Sequence, residues 1–311
     1  VSDCDCGSAC PPGACLVRIA RSGPALDPRR TLAAFAAESG YQVFCGPRFT
    51  GRWFRWGEGP PLVLGHGLSD SSQSFIALAS LLRDRFTCIG WDMPATRGEG
   101  LDRLPWLRHH HLAEHLLSLL DFLGMDKAHL LGCSFGSTMA IDALRRYPHR
   151  FGKAVLQGGF AYRPLSVLQR LVVSLGRFAR RPLMRHMPRY EQFLRKSNGD
   201  GFAGRDPDWW RQLVESTGPT PVKTVCHQAR WLDTVDFRGW LPGISLPLLL
   251  VHGDRDRLVG PSCRQVLKAG LPNAREVLLA GCGHVPCYTD TEAFAAVVAD
   301  FLQNDPAPGA R

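Results

Sequence analysis

The chain has 311 residues, 45% of them apolar, with a formal net charge of +9. That length holds one α/β domain plus an insertion, not two independent domains of ordinary size. The composition is that of a globular protein, and no apolar run approaches the roughly 18 to 20 residues of a membrane span.

Residues 1–40 read as an N-terminal extension rich in Cys, Pro and Gly. Its first 30 residues have little periodicity, and a short helix from Thr31 to Glu38 ends at Gly40. Cys4, Cys6, Cys10 and Cys15 crowd the tip, but their spacing does not match the paired Cys-x-x-Cys of a zinc ribbon, and the tip is expected to be disordered. The other seven cysteines are scattered through predicted core elements. Such a set reads as reduced thiols packing as small hydrophobes, hence a cytoplasmic expectation, and no secretory pattern is visible.

From residue 41 the chain alternates strands and helices. Tyr41–Cys45 and Arg52–Trp56 form a hairpin. Pro61–Leu64 is a buried strand, Ser74–Leu82 an amphipathic helix and Phe86–Trp91 the next strand. Leu112–Leu123 is a helix capped by Gly124. Strand Ala128–Leu131 leads into helix Phe135–Tyr147, and Lys153–Gln157 is another strand. This order predicts an α/β fold, a mostly parallel twisted sheet with helices on both faces. The alternation stops over residues 160–243, which read as an inserted helical cap. In it Leu168, Leu171, Val172, Leu175 and Ala179 trace one helical face. Trp209, Trp210 and Leu213 mark a second helix and His227–Leu232 a third. Residues 244–305 resume the sheet domain with strand Leu246–Val251, helix Ser262–Ala269, strand Glu276–Leu279 and helix Thr291–Leu302; 306–311 are a tail.

The most informative stretch is Gly132-Cys133-Ser134-Phe135-Gly136, placed between a predicted strand and a predicted helix. A serine there sits on a sharp turn, and its glycine neighbours are needed because side chains would clash. The helix N-terminus directs free N–H groups toward any negative charge that develops beside the hydroxyl. Three further motifs follow predicted strands: Gly65-His66-Gly67-Leu68, His252-Gly253-Asp254-Arg255-Asp256 and Gly281-Cys282-Gly283-His284.

Order and spacing of these four motifs resemble the α/β-hydrolase family over roughly residues 41–303, with nucleophile, acid and base following one another along the chain. The resemblance implies a cofactor-free serine hydrolase with no metal. Ser134 is the nucleophile, His284 the base and Asp256, three residues after Gly253, the acid, while Asp254 shapes the turn. The backbone N–H groups of Leu68 and Phe135 are the implied oxyanion donors, with His66 bracing their loop. One departure concerns Asp92-Met93-Pro94-Ala95, where family members often carry glycine after the proline; that loop is expected to differ in shape. Dehalogenases and epoxide hydrolases need Asp at position 134, which excludes them. His111 and His115, four apart on a helix, lack a nearby third ligand and are set aside as a metal site.

The expected substrate is a small-molecule carboxylic ester, anionic and lipid-like esters included; a thioester, a lactone or a carbon–carbon bond shares the constellation. A small-molecule receptor with a retained triad is the rival from another class. Much of the positive charge falls in the cap, at Arg163, Arg170, Arg177, Arg180, Arg181, Arg185, Arg189, Arg195 and Lys196. Arg170, Arg177 and Arg181 lie opposite the apolar stripe of the first cap helix. An interfacial helix at a membrane surface has that pattern, and so does an ordinary solvated cap helix. The ordinary reading is preferred. No recognised module points to nucleic acid.

Overall fold

A computed structural model describes residues 14–17, 26–179, 182–198 and 201–304. The strands are β1 Ala14–Val17, β2 Gln42–Cys45, β3 Thr50–Trp56, β4 Pro61–Gly65, β5 Thr87–Trp91, β6 Ala128–Cys133, β7 Phe151–Gln157, β8 Leu248–Gly253 and β9 Arg275–Leu279. They form one sheet in the order β1-β9-β8-β7-β6-β4-β5-β3-β2. Pairing is parallel throughout except at β2–β3 and β3–β5. The predicted hairpin is β2–β3. Strand β1, for which the sequence offers no alternating signal, adds a parallel edge beyond β9. Cys4, Cys6 and Cys10 lie outside the described residues.

Strands β4 to β9 read as near-continuous apolar runs because both faces of the sheet are covered. The alternation is plain in β8. Leu248 and Leu250 enter one core with α3 (His110–Phe122), α4 (Phe135–Arg146) and α9 (Pro261–Gly270). Leu249 and Val251 enter the other with α1 (Pro28–Glu38), α2 (Ile76–Leu82) and α11 (Thr291–Asn304). Helix α3 stops where predicted: Gly124 takes a left-handed φ of 66° and Met125 N–H reaches back to the Leu120 carbonyl.

β4 is flanked by β5 on one side and β6 on the other, so the strand order reverses at β4. The loops leaving the carboxyl ends of β4 and β6 therefore part around a crevice, the usual ligand position in such sheets. Ser134 and the Gly67–Leu68 loop are what this topology delivers there.

Between β7 and β8 the chain inserts α5 (Val167–Gly176), α6 (Tyr190–Asn198), α7 (Pro207–Thr217) and α8 (Val222–Thr234). The short α10 (Pro286–Thr289) follows the His284 loop. Sequence periodicity anticipates α5, α7 and α8. It gives no separate signal for α6, where Tyr190, Phe193 and Leu194 are the large apolar residues among nine. The orientation of α5 is set by its contacts with α8; Arg180 and Arg181 lie outside the described residues. The polar side of α5 is docked on α8: Arg170 Nε pairs with Asp233 at 2.9 Å, and a Cβ on Gly176 would lie 2.5 Å from the Cys226 sulfur. Its apolar side, Leu168, Leu171, Val172 and Leu175 included, is exposed.

Candidate active site

Ser134 stands between β6 and α4 with φ 51°, a left-handed backbone that a non-glycine residue adopts only where its surroundings enforce it. Three contacts enforce it. Ser134 N–H donates to the Gln157 carbonyl at 2.8 Å. A Cβ on Gly136 would overlap the Gly65 carbonyl oxygen, and one on Gly132 would overlap that of Gly136. The two flanking glycines thus let α4 start directly against β4 and β6. Phe135 is the first residue of α4, so its N–H has no carbonyl one turn back within the helix.

The loop after β4 is held by His66. Met93 N–H donates to His66 Nε2 at 2.9 Å, which leaves Nδ1 as the protonated nitrogen, 2.9 Å from the Gly67 carbonyl. This is the bracing role expected of His66. At Ala95, where family members often carry glycine, φ is 58°, a left-handed turn with a buried methyl group.

On the other side of Ser134, His284 Nδ1 lies 2.7 Å from Asp256 Oδ2, and both side chains are buried. The Gln157 side-chain amide donates to the His284 carbonyl at 3.1 Å and so holds the backbone of His284. Asp256 Oδ1 accepts from the N–H groups of Leu258 and Val259 at 2.8 and 2.9 Å. Burial pushes the Asp256 carboxyl up. The hydrogen bond from His284, the imidazole's charge and the two backbone donors outweigh it, and the net shift is below the usual carboxylate range. Asp254 faces elsewhere: its Oδ1 accepts Gly281 N–H at 2.7 Å. Gly158 has a left-handed φ of 54°, and a Cβ there would come 3.0 Å from the His284 ring, so both backbone and space favour glycine beside the imidazole.

Ser134, His284, Leu68 and Gln157 line one cavity of about 540 Å³, roofed by Leu168, Val172 and Phe193 of the cap. Among the described residues the Ser134 hydroxyl makes no hydrogen bond, so Oγ is presented to this cavity. The lining is mostly apolar, with Arg163 and Asp70 as its charged side chains. Asp70 accepts from Ser71 N–H at 2.8 Å and from the Ser216 hydroxyl. Burial raises its pKa. Asp70 and Gln157 had no signal in the sequence reading, since their roles come from cap and strand neighbours remote in the chain. Cys133, next to Ser134, is buried and its thiol is pushed well up by burial, which keeps it protonated and inert.

A family model for the alpha/beta hydrolase fold matches residues 60–291. The chain belongs to that family. Among curated relatives of this hydrolase, the putative carbamate hydrolase RutD of Pseudomonas savastanoi pv. phaseolicola is 29% identical over 257 residues, covering 79% of this chain and 94% of the relative. The pimeloyl-[acyl-carrier protein] methyl ester esterase of Nitrosospira multiformis is 29% identical over 259 residues, covering 79% and 96%. Of solved structures, a thermophilic esterase from Thermogutta terrifontis superposes with a TM-score of 0.73 at 20% identity, covering 85% of this chain and 98% of the esterase.

The histidines of α3 serve other ends. His115 is buried, stacked 3.5 Å from the Phe49 ring and bonded through Nε2 to the Phe49 carbonyl at 2.9 Å. A different set, His110, His111 and Glu114, brings ligand atoms within 4.8 Å of one another. Two of them are already engaged: Glu114 pairs with Arg48 at 2.8 Å, and His111 Nδ1 accepts Arg108 N–H at 2.9 Å.

Proposed function

We propose that this hydrolase cleaves a carboxylic ester, or a closely related acyl bond, through an acyl-enzyme on Ser134. The observation that carries the reading is the 2.7 Å contact of Asp256 with His284, which lines the same cavity as Ser134. A serine hydroxyl is a poor nucleophile at neutral pH and needs a base that is itself oriented. Asp256 accepts from Nδ1, which leaves Nε2 free to take the Ser134 proton. Ser134 Oγ then bonds the acyl carbon, and the carbonyl oxygen becomes an oxyanion. Backbone N–H groups of Phe135 and Leu68 serve as its donors, each worth roughly 3 to 4 kcal/mol in the transition state. As the intermediate collapses, the imidazolium returns its proton to the departing alkoxide. Water, deprotonated by His284, attacks the acyl-enzyme, and Ser134 leaves with the proton.

The cavity fits an apolar acyl group in size and lining. Relatives named for a carbamate and for a methyl ester present the same kind of acyl carbon to a nucleophile. A fluorophosphonate should leave one adduct on the peptide containing Ser134, and p-nitrophenyl esters of increasing chain length should turn over repeatedly. No adduct in folded protein overturns the reading. An adduct accompanied by one slow turnover supports the receptor alternative instead.

A further inference from the structure

Helix α5 faces the wrong way for a part of a protein that meets only water. Val167, Leu168, Leu171, Val172, Leu175 and, one residue past its C-cap, Phe178 are between 57% and 83% exposed. At 100° per residue these six fall within one arc of about 140° along roughly 15 Å of helix. The outward orientation is built in. Arg170 is tied to Asp233 on α8, the Leu165 N–H shares that carboxylate at 2.8 Å, and a Ser166–Gln169 capping box fixes the first turn. A contiguous apolar surface of this kind marks an interaction site.

Two observations say what covers it. First, the surface is continuous with the mouth of the Ser134 cavity. Leu168 and Val172 belong both to the exposed face and to the lining, and Phe193 of α6, itself 55% exposed, lines the same cavity. Secondly, its border is cationic. Lys196 stands three residues after Phe193 and so shares its side of α6, Arg189 is exposed immediately before that helix, and Arg163 lies at the cavity itself. Arg163, Arg189 and Lys196 have no ion pair among the described residues. An apolar patch rimmed by unpaired cations complements an anionic, amphiphilic surface. A second copy of the chain fits worse, because two such faces brought together would oppose like charges and close the cavity mouth.

We propose that α5 and the Phe193 edge of α6 form a docking face for an anionic phospholipid bilayer. The helix lies in the interface plane, its side chains enter the acyl boundary, and the basic rim meets the headgroups. The cavity mouth then opens toward the lipid phase, which delivers apolar substrate to Ser134. This goes beyond the proposed ester hydrolysis, and its test needs no turnover.

The full chain is sedimented with vesicles of phosphatidylcholine alone and with about one third phosphatidylglycerol, at low salt and near 1 M, where the Debye length falls to about 3 Å. Binding is expected to the anionic vesicles at low salt and to weaken as salt rises. The triple variant Leu171→Ser/Leu175→Ser/Phe178→Ser, whose residues lie outside the cavity lining, should weaken it about tenfold or more, the fold-change for one buried leucine-sized side chain. Arg189→Gln/Lys196→Gln should weaken the salt response and leave the apolar contribution. Hydrolysis of a short water-soluble ester, unchanged in both variants, shows that each is folded. Absence of vesicle binding, equal binding to neutral vesicles, or binding indifferent to both variants overturns the proposal. So does a dimer, detected by light scattering, that the triple variant dissociates, since the face would then be covered by a second copy.

Discussion

Two carboxylates stand two residues apart on the loop after β8, and their surroundings separate their work. Asp256 is buried against His284 and receives two backbone donors on its other oxygen. Asp254 receives the Gly281 N–H at the surface. In Asp256→Asn the remaining carbonyl oxygen can keep the Leu258 and Val259 donors, but the NH₂ then confronts His284 Nδ1–H. The imidazole must adopt the tautomer that puts its proton on Nε2, where it cannot accept from Ser134. We expect kcat to fall by about 10⁴, the scale known for this exchange in a serine triad, while Asp254→Asn stays within a few-fold. Steady-state kinetics on one p-nitrophenyl ester decides it, and the reverse order of effects would make Asp254 the orienting acid. That Asp256 rather than Asp254 meets His284 agrees with the spacing after Gly253 that the family resemblance implies. The contributions of Gln157 and Gly158 were not legible in the sequence, because neither residue belongs to a motif. Each acts on His284 from a strand end about 127 positions away in sequence.

At the scale of elements, the β4–β6–α4 junction was legible because close backbone approach leaves a compositional mark. Gly65, Gly132 and Gly136 meet in one place, and Gly65 pairs with Gly132 across the two strands. Gly136→Ala would normally gain helix propensity of up to about 1 kcal/mol. Here the added methyl overlaps a backbone carbonyl, which cannot rotate away, so α4 must shift from β4. A net loss of about 1 to 3 kcal/mol is expected, the usual cost of overpacking, and Ser134 moves with the helix. Urea denaturation reads the stability and fluorophosphonate labelling the elbow; unchanged stability and labelling would show that α4 tolerates displacement. The cap was less legible for a physical reason. Periodicity reports that α5 has an apolar side but not which way it turns. That is decided by Asp233 and Cys226 on α8, some 50 to 60 residues downstream. Helix α6 begins after Arg189, whose backbone is left-handed at φ 60°, and carries too few apolar residues to announce itself.

For the whole molecule, the buried histidines set the acid limit of stability. His115 is packed among Phe49, Trp91 and Phe44, and burial lowers its pKa to about 4 despite the Phe49 carbonyl. His252 lies in β8 with neither ring nitrogen hydrogen-bonded among the described residues, and burial lowers it to about 4 as well; the nearby Asp256 charge only partly opposes this. The sign follows from proton counts. In the unfolded chain a histidine titrates near 6.5, so between about pH 6.5 and 4 the unfolded state holds protons that the folded state refuses. Unfolding then takes up protons, and stability falls as pH drops through that window, by at most about 1.4 kcal/mol per pH unit for each histidine. Asp256 acts later in the titration. Its folded pKa is depressed, so its contribution is present above the unfolded carboxylate value near 3.9 and is lost as pH falls through the folded one. The melting temperature should therefore be flat near neutrality and decline from about pH 6.5 toward 4. In His115→Gln, which retains a donor for the Phe49 carbonyl and cannot charge, the decline should be shallower than in the parent even if the variant is less stable at pH 7. Calorimetry across the window on both proteins checks this. Parallel curves would mean that His115 protonates in the folded state without loss, and that its burial is less complete than its ring contacts indicate.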